Sequence, residues 1–219
     1  MSFSDLFARR RKEEPPDPLD GPTQPTKGLD RFLAGLSGRT SPVLLDLGPV
    51  IGSNVTFFGE EIGCKILVED LAKDIDRHVN EGKLEELPRF LDARFPQASD
   101  TVDGILCWDI FDYLDKEPGQ RLANQLKRVL RPDGILLAFF TTVDHQKESP
   151  TYTRHLVVDR THLRHRSYAA ARGKRKPIVN RDIQRLFEPL RITENFLLKT
   201  NMREVLFRKP AKETGSGVI

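Results

Sequence analysis

Short apolar runs alternate with segments of helical spacing from Pro42 to Phe140, and few folds accommodate that order. "PVLLDL", "CKILVEDL", "DGILCWD" and "ILLAFF" are too short for helices and too continuous for half-exposed strands. They read as strands buried on both faces. A further strand is expected near "RFLDA". Between them, "SNVTFFGEEIG" places Val55, Phe58 and Ile62 on one helical face and stops at Gly63. "AKDIDRHVNEG" is also helical and ends in glycine. "PGQRLANQLKRVL" lines up Leu122, Leu126, Val129 and Leu130. Strand alternating with helix at this spacing means right-handed crossovers, a parallel sheet and helices on both faces.

The end of the chain departs from that rhythm. After the helix "NRDIQRLFEPL", the runs "RITENFLLK" and "REVLFRK" are separated by "TNM" alone. A parallel crossover needs about a dozen residues. The last strands are therefore expected to be locally antiparallel, or separated by one intervening strand.

With 219 residues, 38% of them hydrophobic, the chain suits one domain with a substantial core. Residues 1–27 are Pro-rich and charged and are expected to be a flexible tail; residues 211–219 are a second one. The folded part is then 28–210. Residues 3–11, with Phe3, Leu6 and Phe7 beside three arginines, allow a weak amphipathic contact with a membrane surface. No window approaches the roughly 18 apolar residues of a spanning helix. The start has no secretory h-region. Cys64 and Cys107 lie in apolar runs, as buried thiols do in a reducing cytoplasm. No cysteine or histidine spacing fits a metal site.

The net charge of +3 conceals an imbalance. Thr151 to Arg191 holds eleven Lys/Arg against three Asp/Glu. Such a segment favours an anionic partner or acceptor, nucleic acid included, or is a solvated surface. It overlaps 141–180, a long insertion before the last helix. Insertions of that length are functional or disordered, and this one is expected to cover a substrate, with "ARGKRKP" as a mobile basic loop.

Ligands of open α/β sheets bind beyond the carboxyl ends of the strands. There, "LLDLGPVIGSN" ends a strand at Asp46 and carries Gly48 and Gly52. Glycines at these points allow a sharp bend and close packing of the next helix, and a plain tight turn needs the same. Glu69 and Asp70 end the next strand, where an acid can hold ribose hydroxyls or cap the following helix.

These pieces, with "LDARFPQASDTVDGILCWD" and "LKRVLRPDG", resemble the class I S-adenosylmethionine-dependent methyltransferases over roughly residues 43–140. The resemblance implies an α/β fold, doubly wound, with a mostly parallel seven-stranded sheet and one antiparallel strand near the C-terminus. It implies S-adenosyl-L-methionine as cofactor and a cytoplasmic enzyme. Asp46, Gly48 and Gly52 would surround the methionine part, and Glu69, with Asp70, the ribose. Asp92 and Ala93 would meet the adenine. Trp108 and Asp109 would face the methyl group. Val50 departs from the pattern, standing where the family often has glycine because the backbone passes close to the cofactor.

Methyl transfer needs alignment above all, and a general base for some acceptors only. Asp109 and His145 are the candidate bases. No "NPPY"-like tetrapeptide follows the fourth strand, and "ILCWD" lacks the Pro-Cys of cytosine C5 methylation. Three functions stay open: methyl transfer to oxygen or nitrogen of an anionic acceptor, RNA-directed methyl transfer, and a non-catalytic scaffold on the same fold.

Overall fold

The computed structural model describes residues 22–145 and 148–211. The contact proposed for residues 3–11 and most of both expected tails lie outside the described residues. A six-stranded sheet forms the centre. It contains β2 (Val43–Asp46), β3 (Lys65–Val68), β4 (Val102–Trp108), β5 (Leu130–Thr141), β8 (Arg191–Leu197) and β9 (Met202–Arg208), in the order β3-β2-β4-β5-β9-β8. β3, β2, β4 and β5 are parallel. β9 runs antiparallel to both β5 and β8, so one strand is reversed, as the short "TNM" link requires.

Helices α1 (Gly28–Leu36), α2 (Gly52–Ile62), α3 (Leu71–Asn80), α4 (Leu87–Ala93), α5 (Lys116–Val129) and α6 (Asn180–Phe187) complete this unit. Two apolar clusters hold it together. One joins Leu122, Leu126 and Phe187 to the β4 and β5 side chains. The other joins Phe32, Leu36 and Phe58 to Leu44, Leu106 and Leu137. Helices therefore cover both faces, a doubly wound arrangement.

The sheet has six strands rather than seven because "RFLDA" is helical. Pro88 stands in the first turn of α4, where its fixed φ and missing N–H are tolerated. Leu87 and Leu91, four apart, are the buried pair. A two-residue alternation would have pointed them to one face of a strand equally well, but the proline start selects the helix.

Residues 151–169 form a hairpin, β6 (Thr151–Asp159) and β7 (His162–Ala169), in register from Thr151 opposite Ala169 to Val157 opposite Leu163, with a bulge before Asp159 meets His162. β1 (Thr23–Pro25) adds to β7, so the tail expected to reach residue 27 gives way to a strand earlier. The hairpin is not a loose cover. Val157 and Leu163 pack in the same cluster as Phe32 and Trp108. "ARGKRKP" is likewise pinned: Arg172, Lys174 and Arg175 all pair with aspartates, Lys174 with buried ones. Among the described residues, no helix is long and apolar enough to cross a membrane.

Candidate functional site: a filled cleft at the β2–β4 switch

Strand order reverses at β2, whose neighbours are β3 on one side and β4 on the other. The turn leaving β2 and the turn leaving β4 meet there. Asp46 ends β2 and is 4% exposed. Its Oδ1 accepts from the Gly48 backbone N–H at 2.9 Å and from the Trp108 indole N–H at 2.6 Å. Burial raises the Asp46 carboxyl to about 6, although both hydrogen bonds pull it down.

Trp108 ends β4 with φ of +49°, a left-handed conformation rarely adopted by so bulky a residue. The bend carries the indole across the switch point. A Cβ on Gly48 would stand 2.9 Å from Trp108 Cδ1, so this glycine is required by the indole's approach. Gly52 differs. It opens α2 without positive φ, and a Cβ there would meet no atom within 4 Å among the described residues. Val50 is 70% exposed and stays out of the cleft.

Trp108 stacks on the His155 ring, with centroids 5.0 Å apart and planes 7° from parallel. His155 is 2% exposed, and its Nε2 lies 3.1 Å from Asp109 Oδ1. Lys174 Nζ bridges Asp109 at 2.8 Å and Asp112 at 3.1 Å. Burial opposes ionisation of Asp109, but Lys174 and His155 outweigh it and hold the carboxyl well below the usual range. At Asp112 burial wins over Lys174, and its carboxyl rises to about 6. The lysine is itself held charged against burial by the two aspartates. Because ionised Asp109 only accepts, the His155 Nε2 that faces it carries a proton. Its Nδ1 is buried and has no hydrogen-bond partner among the described residues.

The hairpin seals this centre from above. Asn54, in the first turn of α2, donates to the His155 carbonyl at 2.8 Å and accepts from the Val157 N–H at 2.8 Å. Tyr152 donates to Asp76 of α3 at 2.9 Å, and Tyr113 donates to the Thr151 carbonyl at 2.9 Å. The space left among Gly48, Asn54, Trp108, Tyr113, Tyr152 and His155 is about 20 Å³. That is room for about one water molecule, whereas small-molecule sites run to about 300–1,000 Å³.

The other expected site residues are engaged elsewhere. Glu69 ends up against Arg94, which also binds Asp74 at 2.7 Å. It accepts from Gln97 at 3.2 Å as well. Asp70 caps α3, accepting from the Lys73 N–H at 3.4 Å. Asp92 and Ala93 sit exposed at the end of α4, and Asp92 pairs with Arg121 at 3.2 Å. The helix in place of a strand carries them away from the cleft lining. His145 follows β5 and lies between Thr141 and Glu148, at 3.0 and 2.9 Å, also outside that lining. Asp46, Gly48, Trp108 and Asp109 are brought together; Asp70 lies near enough for its charge to raise the Asp46 carboxyl, and the Glu69 N–H donates to the Asp46 carbonyl at 2.8 Å, whereas Asp92, Ala93 and His145 are not brought to them. His155 and Lys174 complete the centre. The signal for His155 was a histidine entering the apolar run "HLVV"; for Lys174 there was none.

The architecture is matched by the crystal structure of an S-adenosylmethionine-dependent methyltransferase from Clostridium acetobutylicum ATCC 824. The two are 10% identical with a TM-score of 0.51, covering 85% of this chain and 93% of that one. This chain has the class I methyltransferase fold. A Burkholderia thailandensis 1,6-didemethyltoxoflavin-N1-methyltransferase is also similar, at 14% identity and TM-score 0.48, covering 83% and 76%. No family model and no curated protein matches the sequence. At such identities the likeness of this methyltransferase-fold chain speaks for the fold alone.

Proposed function

We propose that the chain is an S-adenosylmethionine-dependent methyltransferase whose cofactor cleft is closed by its own Trp108 and β6–β7 hairpin. Gly52 carries the reading. It opens the helix at the switch point, yet neither its backbone angles nor any neighbouring atom calls for glycine. A molecule that must pass close to that backbone does call for it. The exposed Val50 leaves the passage clear on its side.

The closed arrangement does not fit the cofactor, because about 20 Å³ cannot hold a nucleoside. Binding requires the indole to leave Asp46 and the hairpin to rise from Asn54. Apparent affinity is then lowered by the fraction of molecules that are open. Calorimetric titration with S-adenosylhomocysteine tests this in the intact chain and in Trp108→Ala. Weak saturable binding is expected for the first, and at least about tenfold tighter binding for the second. The basic insertion favours an anionic acceptor with a reactive oxygen or nitrogen.

The filled cleft favours a second reading, a non-catalytic scaffold on this fold. Absence of binding to both proteins at millimolar ligand would decide for it.

A further inference from the structure

A second cavity, of about 540 Å³, lies between the start of α5, the start of α6 and residues 175–179. It shares no lining residue with the cleft at Trp108. Its size falls within the roughly 300–1,000 Å³ of small-molecule sites, and its composition is two-sided. Phe111, Leu114, Ile178 and Leu186 supply apolar wall, with Phe111 and Leu114 almost fully buried. Lys116, Arg175, Lys176 and Arg185 supply cations, against two acids, Asp115 and Asp182.

The acids are already taken. Asp115 binds Arg175 at 2.8 Å and Arg172 at 3.0 Å, and Asp182 lies 3.9 Å from Arg185. Lys116 and Lys176 are left without an acid among the described residues, so the rim keeps a surplus of two positive charges. Asp115, held by the arginines, makes no capping hydrogen bond to α5, and Val179 has no side chain that could cap α6. Both helices thus start at the cavity with uncapped N–H groups, adding to the same positive potential.

We propose that this cavity binds a small amphipathic anion: a molecule with an apolar body about two fused rings in size and a single carboxylate, sulfonate or phosphate. The apolar wall buries the body, and the lysines face the charged group. The site stands on the cavity and its rim, independently of methyl transfer.

Calorimetry on the full chain at low salt with naphthalene-2-sulfonate tests it, beside the uncharged naphthalen-2-ol and inorganic phosphate. One-to-one saturation by the sulfonate is expected, at least fivefold tighter than by the alcohol. Phosphate alone should not saturate. The double variant K116E/K176E changes two exposed side chains. It should weaken the sulfonate tenfold or more and leave the alcohol unchanged. Val179→Trp, at a half-exposed rim position, should fill the cavity and abolish binding of both, with the melting temperature of each variant confirming its fold. No saturation by the sulfonate would overturn the proposal. So would equal affinity for the charged and uncharged probes, phosphate binding as tightly as the sulfonate, or affinities that neither variant moves.

Discussion

Trp108 and Asp46 show what two residues at a switch point do to each other. The indole needs an acceptor when buried, and Asp46 provides one. The carboxylate in turn is taken from water, and its carboxyl rises to about 6. A carboxyl whose pKa is higher folded than unfolded binds protons more tightly when folded, so ionising it costs stability as pH rises from about 4 to about 6. Asp46→Asn keeps an oxygen for Gly48 and Trp108 and removes the charge. Its stability relative to the parent should rise across that interval by up to about 3 kcal/mol, on top of a constant offset. Denaturant unfolding from pH 4 to pH 8 measures the difference, and a pH-independent gap would contradict the assignment. Asp46, Gly48 and Trp108 were legible in the sequence as candidates at or just beyond a strand end, and the structure brings them together. The sequence did not reveal that they would engage one another, because that depends on the left-handed turn at Trp108.

Among elements, the β6–β7 hairpin is the one whose position matters most, and single polar side chains hold it. Asn54 is 2% exposed and satisfies two hairpin backbone groups. Asn54→Ala strands both, so a loss of about 2–4 kcal/mol is expected in chemical denaturation. Lys174 fastens the segment that follows β7. Lys174→Met leaves two buried aspartates without their cation, for an expected loss of about 3–5 kcal/mol. Asp109 is depressed, so the stability it contributes is present above the ordinary carboxylate pKa and fades as pH falls. The deficit of the variant should therefore be largest at neutral pH and shrink toward acid. A deficit that grows on acidification would contradict the pairing. Periodicity exposed β2, β3, β4, β5, α2, α3 and α5, whose apolar spacing is unambiguous. It failed at α4, where seven residues fit either template and the first-turn proline decides. The sequence marked the hairpin's segment only as a cover; the pairing of "ARGKRKP" was not legible, because charge composition says nothing of the aspartates that later face it.

At the scale of the whole molecule, the basic segment is less available than its composition implies. Of its eleven cations, Arg160, Arg172, Lys174, Arg175, Arg181 and Arg185 are in ion pairs within the chain. Arg154 lies over the Tyr168 ring at 4.7 Å. A protein clamping RNA through many phosphates loses roughly a thousandfold or more in affinity between about 50 and 200 mM salt. Here a shallow dependence is expected in fluorescence anisotropy with single-stranded RNA. A steep slope would favour the RNA-directed reading.

In the reading proposed above, Trp108 and the hairpin fill the cleft that would take the cofactor, and the chain carries its own reporter. Trp108 is the sole tryptophan of the sequence, buried and stacked on His155. Its emission, excited at the red edge of indole absorption, can be followed during titration with S-adenosylhomocysteine. A saturable red shift is predicted, as the indole leaves Asp46 for a wetter place. Emission unchanged up to millimolar ligand would contradict the account.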